Sequence, residues 1–136
     1  MAKSVDPTPE SVKLLAQTVP ADTPVVMLNL LRFRAEAAYA VDKQQPPRSG
    51  REAYATYAKE TVPHLQQVGG RVVWHGDAKH AFIAPPGEQW DEVLLVEYPS
   101  KDAFLSMLKS PQYQEITFHR TAALDDARLI VTVKQN

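Results

Sequence analysis

Two short segments that are apolar at nearly every position most constrain how this chain folds. Val25–Phe33 is interrupted by Asn29 and Arg32, and Glu92–Tyr98 contains the apolar run 93–96. Their length, their β-branched residues and the prolines beside them predict strands rather than helices. Neither segment alternates apolar and polar residues, so we expect both faces of each strand to be buried.

The rest of the chain supplies the elements that surround these two strands. The order that results is strand, helix, strand, strand, helix, strand, which is the βαββαβ arrangement of a ferredoxin-like α+β fold. It predicts a four-stranded antiparallel sheet with its helices on one face. The further predicted elements are a helix from Gly50 to the Gly69-Gly70 pair, a strand at Arg71–Ala78, helices at Lys101–Lys109 and Gln112–Leu124, and a strand at Ala127–Lys134.

Residues 1–24 are predicted to be an N-terminal extension to a single domain, 25–136. Within the extension, Thr8–Val19 has a proline at the first helical position and apolar residues at helical spacing, which predicts a short helix. The segment Ala35–Ser49 is polar and rich in proline and glutamine towards its end. It is predicted to be a loop with a helical turn at Ala35–Tyr39.

Helices on one face leave the other apolar face of the sheet without a cover. Burying one Leu or Ile stabilises a protein by roughly 1.5–3 kcal/mol, so several exposed ones would favour association. A second copy that packs sheet against sheet is the simplest cover, because two-fold homodimers are the commonest oligomers. The alternative cover is the segment Ala35–Ser49 or the leading helix.

Composition excludes several other classes of protein. Fifteen Lys plus Arg residues against sixteen Asp plus Glu residues give a formal charge of −1, which predicts neither a nucleic-acid nor a membrane partner. The 136 residues include no cysteine, so disulfides and thiolate chemistry are excluded. The N-terminus lacks the apolar core of a signal peptide, and no apolar run is long enough to span a bilayer. These features predict a cytoplasmic protein.

Three spaced motifs in the second half of the chain resemble the pattern E-[FY]-P-S … S-P-x-Y-Q … R-x-x-A of domain-of-unknown-function family 1330. The motifs are Glu97-Tyr98-Pro99-Ser100, Ser110-Pro111-Gln112-Tyr113-Gln114 and Arg120-Thr121-Ala122-Ala123. The resemblance covers about residues 25–133. It implies the dimeric α/β barrel superfamily, in which two ferredoxin-like sheets close against each other. That superfamily includes cofactor-free monooxygenases, isomerases and stress-responsive proteins, so the resemblance implies a fold and a dimer rather than one activity.

Three polar residues among apolar neighbours are the main site candidates. The amide of Asn29, in the first strand, would either orient a ligand carbonyl or make a structural hydrogen bond. Glu97 falls on the side of Val93 and Leu95; an interior position would make its carboxylate a stronger general base, and the alternative is an ion pair. Arg120, on the inward stripe of its predicted helix, would either clamp a carboxylate or pair with Glu97.

Histidines and aromatic residues complete the candidate set. His75 and His119 are candidates for acid–base chemistry, although no sequence neighbour sets the tautomer of either ring. An apolar cleft between helices and sheet is predicted to be lined by Tyr54, Tyr57, Trp74 and Tyr113, and the alternative is an ordinary aromatic core. Val72 and Trp74 are predicted to lie on one side of their strand. No metal site is predicted, because too few ligands have suitable spacing, and no cofactor motif occurs.

Two functions follow from these residues. In the first, a homodimer binds a small apolar or aromatic carbonyl or carboxylate compound, and any catalysis is proton transfer or oxygenation without a cofactor. Arg120 would hold the anionic group, Asn29 would orient it, and Glu97 or a histidine would move the proton. In the second, the protein is a non-catalytic dimeric binding or stress-related module, and the same polar residues are structural.

Overall fold

A computed structural model describes residues 2–136 of the chain. Its four strands form one antiparallel sheet in the order β2-β3-β1-β4. This order and the βαββαβ sequence of elements confirm the predicted ferredoxin-like α+β fold. The strands are β1 (Val25–Phe33), β2 (Arg71–Asp77), β3 (Glu92–Tyr98) and β4 (Leu124–Thr132).

Five α-helices and one 3₁₀ turn make up the other regular secondary structure of residues 2–136. The side chain of Ser49 accepts a hydrogen bond from the Glu52 amide at 3.0 Å, and the Glu52 carboxylate accepts one from the Ser49 amide at 2.9 Å, so a capping box begins the longest helix. In this part of the chain no helix has the length and apolar content needed to cross a membrane. The helices are α1 (Pro9–Thr18), α2 (Gly50–Gln67), α3 (Lys101–Lys109), α4 (Pro111–Gln114) and α5 (Thr117–Ala123), and the 3₁₀ turn is Val41–Lys43.

Two predicted boundaries are wrong. The helix predicted over Gln112–Leu124 is divided into α4 and α5, and β4 begins at Leu124 rather than at Ala127. Leu124 is fully buried and pairs with Phe33 of β1, so sheet pairing and burial outweigh the helical pattern there.

The helical turn predicted at Ala35–Tyr39 is also absent. The amides of Ala37 and Ala38 donate to the carbonyl oxygens of Arg48 and Ala122, at 2.9 and 2.8 Å, so they are used in contacts distant in sequence. The turn forms instead at Val41–Lys43.

The two faces of the sheet have different surroundings. On the helix side of β1, Val25, Met27 and Leu31 are at most 1% exposed. The opposite face, which we call the open face, is apolar and partly exposed; Trp74 is 57% and Ile130 is 51% exposed there. The open face consists of Val26, Leu28, Leu30, Trp74, Val93, Leu95 and Ile130.

Neither alternative cover lies on the open face. The segment 35–49 is bonded to α5 through Ala38, and α1 is bonded to α3 through Lys101, whose ammonium donates to the carbonyl oxygen of Val19 at 2.5 Å. Both therefore pack with the helices.

A β-bulge in β2 changes which residues share a face. Val72 pairs with Val96 on the helix side, whereas Trp74 pairs with Leu95 on the open face, because the register shifts between them. The prediction that Val72 and Trp74 lie on one side is therefore wrong. The extra residue at Val73 moves the indole of Trp74 away from the helices.

Candidate functional site

Four buried tyrosines lie in the layer between the helices and the sheet, and we call them the tyrosine cluster. Tyr54 and Tyr57 come from one face of α2, Tyr98 from the end of β3 and Tyr113 from α4. Each is at most 8% exposed. The hydroxyl groups of Tyr57 and Tyr113 share a hydrogen bond of 2.5 Å. The cluster therefore brings two predicted site residues, Tyr57 and Tyr113, into direct contact.

Three members of the cluster have strongly shifted pKa values. Burial raises the pKa values of Tyr54, Tyr98 and Tyr113 well above their usual range, and the neighbouring hydroxyl groups raise them further. These three side chains are therefore protonated at neutral pH, and their hydroxyl groups are available as hydrogen-bond donors.

Two hydroxyl groups of the cluster have no partner among residues 2–136. Neither the Tyr54 nor the Tyr98 hydroxyl makes a hydrogen bond there. Within the same range, every polar side-chain atom that is sealed from solvent does have a partner. Both hydroxyl groups therefore border space that water can enter, although their residues are buried.

Asn29 lies with Met27 and Leu31 on the helix side of β1 and is 7% exposed. Its Nδ2 donates to the carbonyl oxygens of Met27 and Leu94, at 3.3 and 3.2 Å. The structural hydrogen bond left open by the sequence is thus present. Its Oδ1 accepts no hydrogen bond from the described part of the chain, so this atom remains available as an acceptor.

Arg120 approaches the tyrosine cluster from α5, and its charge slightly lowers the pKa values of Tyr54 and Tyr113 against the larger effect of burial. Its Nη1 donates to the carbonyl oxygen of Val5 at 2.5 Å and lies 3.9 Å from Oδ1 of Asp6. The N-terminal segment thus supplies the partners of this guanidinium.

The alternative pairing of Arg120 with Glu97 is not observed. Glu97 lies on the same side of the sheet as the open face and binds Arg71 at 2.9 Å. The second strand, and not the last helix, therefore provides the partner of this carboxylate. Both side chains of the Arg71–Glu97 pair are substantially exposed.

The eight candidate residues are distributed over four places in the fold. Trp74 and Glu97 lie on the side of the sheet opposite the helices, so they do not meet the tyrosine cluster. Nε2 of His75 lies 2.8 Å from Oε1 of Glu92, a carboxylate that also binds Arg51 at 2.6 Å. Asn29, Tyr57, Tyr113 and Arg120 are on the helix side.

His119 belongs to a separate group of polar side chains. Its Nδ1 lies 2.7 Å from the Tyr39 hydroxyl, and its Nε2 lies 3.1 Å from Oε2 of Glu60. Burial lowers the pKa of His119, and the charge of Glu60 opposes this in part. The imidazole, whose side chain is 7% exposed, is thus held at both nitrogens.

Sequence reasoning missed Tyr39 and Glu60. Glu60 stands three positions after Tyr57 on α2, but such spacing also describes any solvated helix position. Tyr39 lies in an irregular segment where no periodicity places it. Across residues 2–136 the structure contains no group of three or more His, Asp or Glu side chains arranged to hold a metal ion.

Comparison with solved structures identifies close and distant relatives. The protein of unknown function RPA0582 from Rhodopseudomonas palustris has 38% sequence identity and a TM-score of 0.90, over 99% of both chains. A dimeric protein of unknown function with a ferredoxin-like fold from Bacteroides fragilis has 12% identity and a TM-score of 0.51, over 82% of this chain and 96% of that one.

A third similar structure is a hydroxynitrile lyase from Passiflora edulis. It has 11% identity and a TM-score of 0.57, over 84% of this chain and 95% of that one. At this identity the likeness extends to the fold alone. No match was found among curated proteins.

The family profile gives the assignment. The profile described as domain of unknown function (DUF1330) matches residues 37–133, which is most of the chain. The motifs around Tyr98, Tyr113 and Arg120 lie within that range. The chain therefore belongs to the DUF1330 family, on a ferredoxin-like fold.

Proposed function

We propose that the protein is a homodimer that binds a small carbonyl or carboxylate compound with an apolar or aromatic body at the tyrosine cluster. The two unbonded hydroxyl groups of Tyr54 and Tyr98 carry this proposal. Both hydroxyl groups border space that water can enter, so a ligand oxygen can replace the water there and accept their hydrogen bonds. Two phenolic donors beside a guanidinium match a carbonyl or carboxylate oxygen.

The apolar surroundings favour an apolar or aromatic ligand body. Tyr54 packs against Phe33 and Tyr57 with ring centroids 5.5 and 5.4 Å apart, and Tyr98 packs against Phe104 at 5.0 Å. Rings at such distances favour a further flat, apolar group in contact with them. The cluster shares the composition of small-molecule sites, which combine apolar side chains with few oriented polar groups.

The homodimer is supported by the open face. Its partly exposed apolar residues would lose contact with water if a second copy packed against them, at about 25 cal/mol per Å² of apolar area. The Bacteroides fragilis protein, which has a similar fold, is dimeric. Sheet-to-sheet packing of two copies is therefore the proposed assembly.

The binding proposal is tested with benzoate, phenylacetate and acetophenone as probes in ligand-observed NMR and calorimetry. Tyr54→Phe and Tyr98→Phe remove hydroxyl groups that make no hydrogen bond to residues 2–136, so both variants should keep the wild-type stability. We expect each to weaken binding by about two- to tenfold, the value of one hydrogen bond. Tyr39→Phe, outside the cluster, serves as the matched control.

Two results would count against binding at the cluster. One is that none of the three probes binds the wild-type protein. The other is that the Tyr54→Phe and Tyr98→Phe variants bind as tightly as wild type.

The dimer is tested by sedimentation at micromolar concentration. The wild type should sediment at twice the 15.2 kDa chain mass, and Trp74→Glu with Ile130→Glu should sediment as single chains. Val72→Glu is the matched control, because Val72 is 51% exposed on the same strand as Trp74 but faces the other side. A wild-type protein that sediments as a single chain would contradict the proposed assembly.

A further inference from the structure

Tyr39, His119 and Glu60 lie in a line outside the tyrosine cluster, joined by the Tyr39–His119 hydrogen bond and by the ion-pair contact between His119 and Glu60. Tyr39 belongs to the segment 35–49, Glu60 to α2 and His119 to α5, so three separate parts of the chain converge there. The Phe118 ring lies beside both aromatic members, with centroids 5.9 Å from Tyr39 and 4.1 Å from His119. The position of each ring is therefore determined by packing as well as by hydrogen bonds.

The chemistry of the three groups assigns the protons. The negative charge of an ionised Glu60, whose Oε2 lies 3.1 Å from Nε2 of His119, favours the tautomer with its proton on Nε2. Nδ1 of a neutral imidazole is then unprotonated, and it accepts the hydrogen bond of the Tyr39 hydroxyl. A hydroxyl beside a base that a carboxylate orients is the arrangement by which enzymes activate a weak oxygen nucleophile or base.

We propose that the Tyr39 oxygen is the reacting atom of an acid–base site, in which His119 takes the phenolic proton and Glu60 orients and stabilises the imidazolium. This site goes beyond ligand binding at the tyrosine cluster and does not depend on it. The substrate proton moves to the Tyr39 oxygen as the phenolic proton moves to Nδ1 of His119. The substrate anion and the imidazolium are the products of this step, and the reverse transfers restore the site.

The charges around Tyr39 indicate which substrates it would take. The Arg48 guanidinium lies 5.6 Å from the Tyr39 ring centroid, and the Lys43 ammonium lies 4.8 Å from that of Phe118. Glu60 is the one carboxylate bonded to His119 among the described residues. Two cations beside one carboxylate favour a small anionic substrate, so the site fits a carboxylate with an acidic proton next to a carbonyl group.

A purely structural role for the three residues predicts a different behaviour of Tyr39. Hydrogen bonds that only fasten the segment 35–49 to the helices would stabilise the phenol and slow its reactions. A relay would instead accelerate any reaction in which the Tyr39 oxygen acts as a nucleophile. Reactivity towards a sulfonyl fluoride separates the two, because the oxygen bonds to sulfur, fluoride leaves and the phenolic proton goes to His119.

The experiment measures labelling of the full-length protein by phenylmethanesulfonyl fluoride, with peptide mass spectrometry to locate the label. Tyr39 should react at least about tenfold faster than N-acetyltyrosinamide in the same solution. His119→Gln should abolish the acceleration, and Glu60→Gln should reduce it severalfold. Glu115→Gln, which removes an exposed carboxylate near the same helix, should leave it unchanged. Pyruvate at millimolar concentration should slow the labelling.

Three results would overturn the inference. The proposed proton transfer from Tyr39 to His119 would be contradicted if Tyr39 reacted no faster than N-acetyltyrosinamide. It would also be contradicted if the His119→Gln variant kept the acceleration. Labelling that pyruvate does not slow would remove the assignment of an anionic carbonyl substrate. Probe binding at the tyrosine cluster and labelling of Tyr39 are measured separately. A failure of the ligand proposal can therefore be distinguished from a failure of the proposed acid–base site.

Discussion

The guanidinium group of Arg120 donates a hydrogen bond to the carbonyl oxygen of Val5, a residue 115 positions earlier in the chain. Other bonds hold the same N-terminal segment, residues 2–6, which we call the strap. The amide of Ala127 donates to the carbonyl oxygen of Ser4 at 2.7 Å, and the hydroxyl of Thr121 donates to Asp6 at 2.8 Å. The strap thus runs beside α5 and the start of β4 and binds the guanidinium whose charge acts on Tyr54 and Tyr113.

Deletion of the strap and truncation of Arg120 should therefore have non-additive effects on the free energy of unfolding. Arg120→Ala is expected to lower the free energy of unfolding by about 1.5–3 kcal/mol, the usual range for hydrogen bonds to charged groups. Deleting residues 2–6 should cost more, because the bonds to Ala127 and Thr121 are lost as well. The combined variant should lose less than the sum of the two, since both changes break the same bond. Urea unfolding measures all three; strictly additive losses would contradict the coupling.

The hydrogen bond between Tyr57 and Tyr113 leads to a second prediction. Tyr113→Phe leaves the Tyr57 hydroxyl buried without its partner, which should lower the free energy of unfolding by about 1–3 kcal/mol. The double variant Tyr57→Phe/Tyr113→Phe removes both hydroxyl groups and keeps the ring shapes, so it should be more stable than Tyr113→Phe alone. Thermal or urea unfolding of the three variants decides the point. A double variant less stable than either single one would contradict it.

The parts of the fold that the sequence predicted depend on local patterns. The apolar β1 and β3 segments and the proline and glycine residues at element ends were enough to recover the element order. The position of Asn29 beside Met27 and Leu31 follows from the strand pattern, because residues two apart in a strand share a face. The open face also follows from this geometry, because successive side chains of a strand point to opposite sides of the sheet and the helices cover only one side.

The parts that failed depend on contacts between distant residues. The bulge at Val73 is a property of how β2 pairs with β3, and it reverses the side of Trp74. The partner of His119, Tyr39, lies 80 positions away in an irregular segment. Similarly, the guanidinium of Arg120 donates a hydrogen bond to the strap, and Glu97 forms an ion pair with Arg71 of the neighbouring strand. The periodicity of a sequence indicates local structure, so it does not predict contacts between residues that are distant in the chain.

The burial of His119 makes stability depend on pH. An unfolded histidine has a pKa of about 6.5, and burial lowers the value in the folded protein against the opposing charge of Glu60, with Arg48 lowering it further. Between these two pKa values the unfolded chain binds more protons, so the free energy of unfolding should fall as the pH drops below about 7. That loss should continue until the pH reaches the pKa of the folded protein.

The variant His119→Gln should reduce this slope, whereas His75→Gln, at an exposed position, should keep it. Urea unfolding at a series of pH values between about 7.5 and 5.5 measures the slope for each protein. A His119→Gln protein with the same pH dependence as wild type would contradict the assignment.

Gly50 begins α2 at a point where three chain segments meet. Its amide donates to the carbonyl oxygen of Arg34 at 3.1 Å, and a Cβ atom added there would lie 2.6 Å from the carbonyl oxygen of Ala123. Both neighbours are backbone groups, which cannot rotate away as a side chain can. Gly50→Ala should therefore lower the free energy of unfolding by about 1–3 kcal/mol or more, because the end of β1, the end of α5 and the first turn of α2 must separate.

The same change should also affect the group around His119. α5 ends at Ala123, whose carbonyl oxygen would be displaced, and the segment 35–49 is bonded to Ala122. Gly50→Ala should therefore slow the labelling of Tyr39 in addition to lowering stability. Ala55→Gly, at an exposed position of the same helix, should lower stability by about 0.5–1 kcal/mol but leave the labelling rate unchanged. Equal labelling in Gly50→Ala and wild type would mean that the backbone junction at Gly50 does not position Tyr39 and His119.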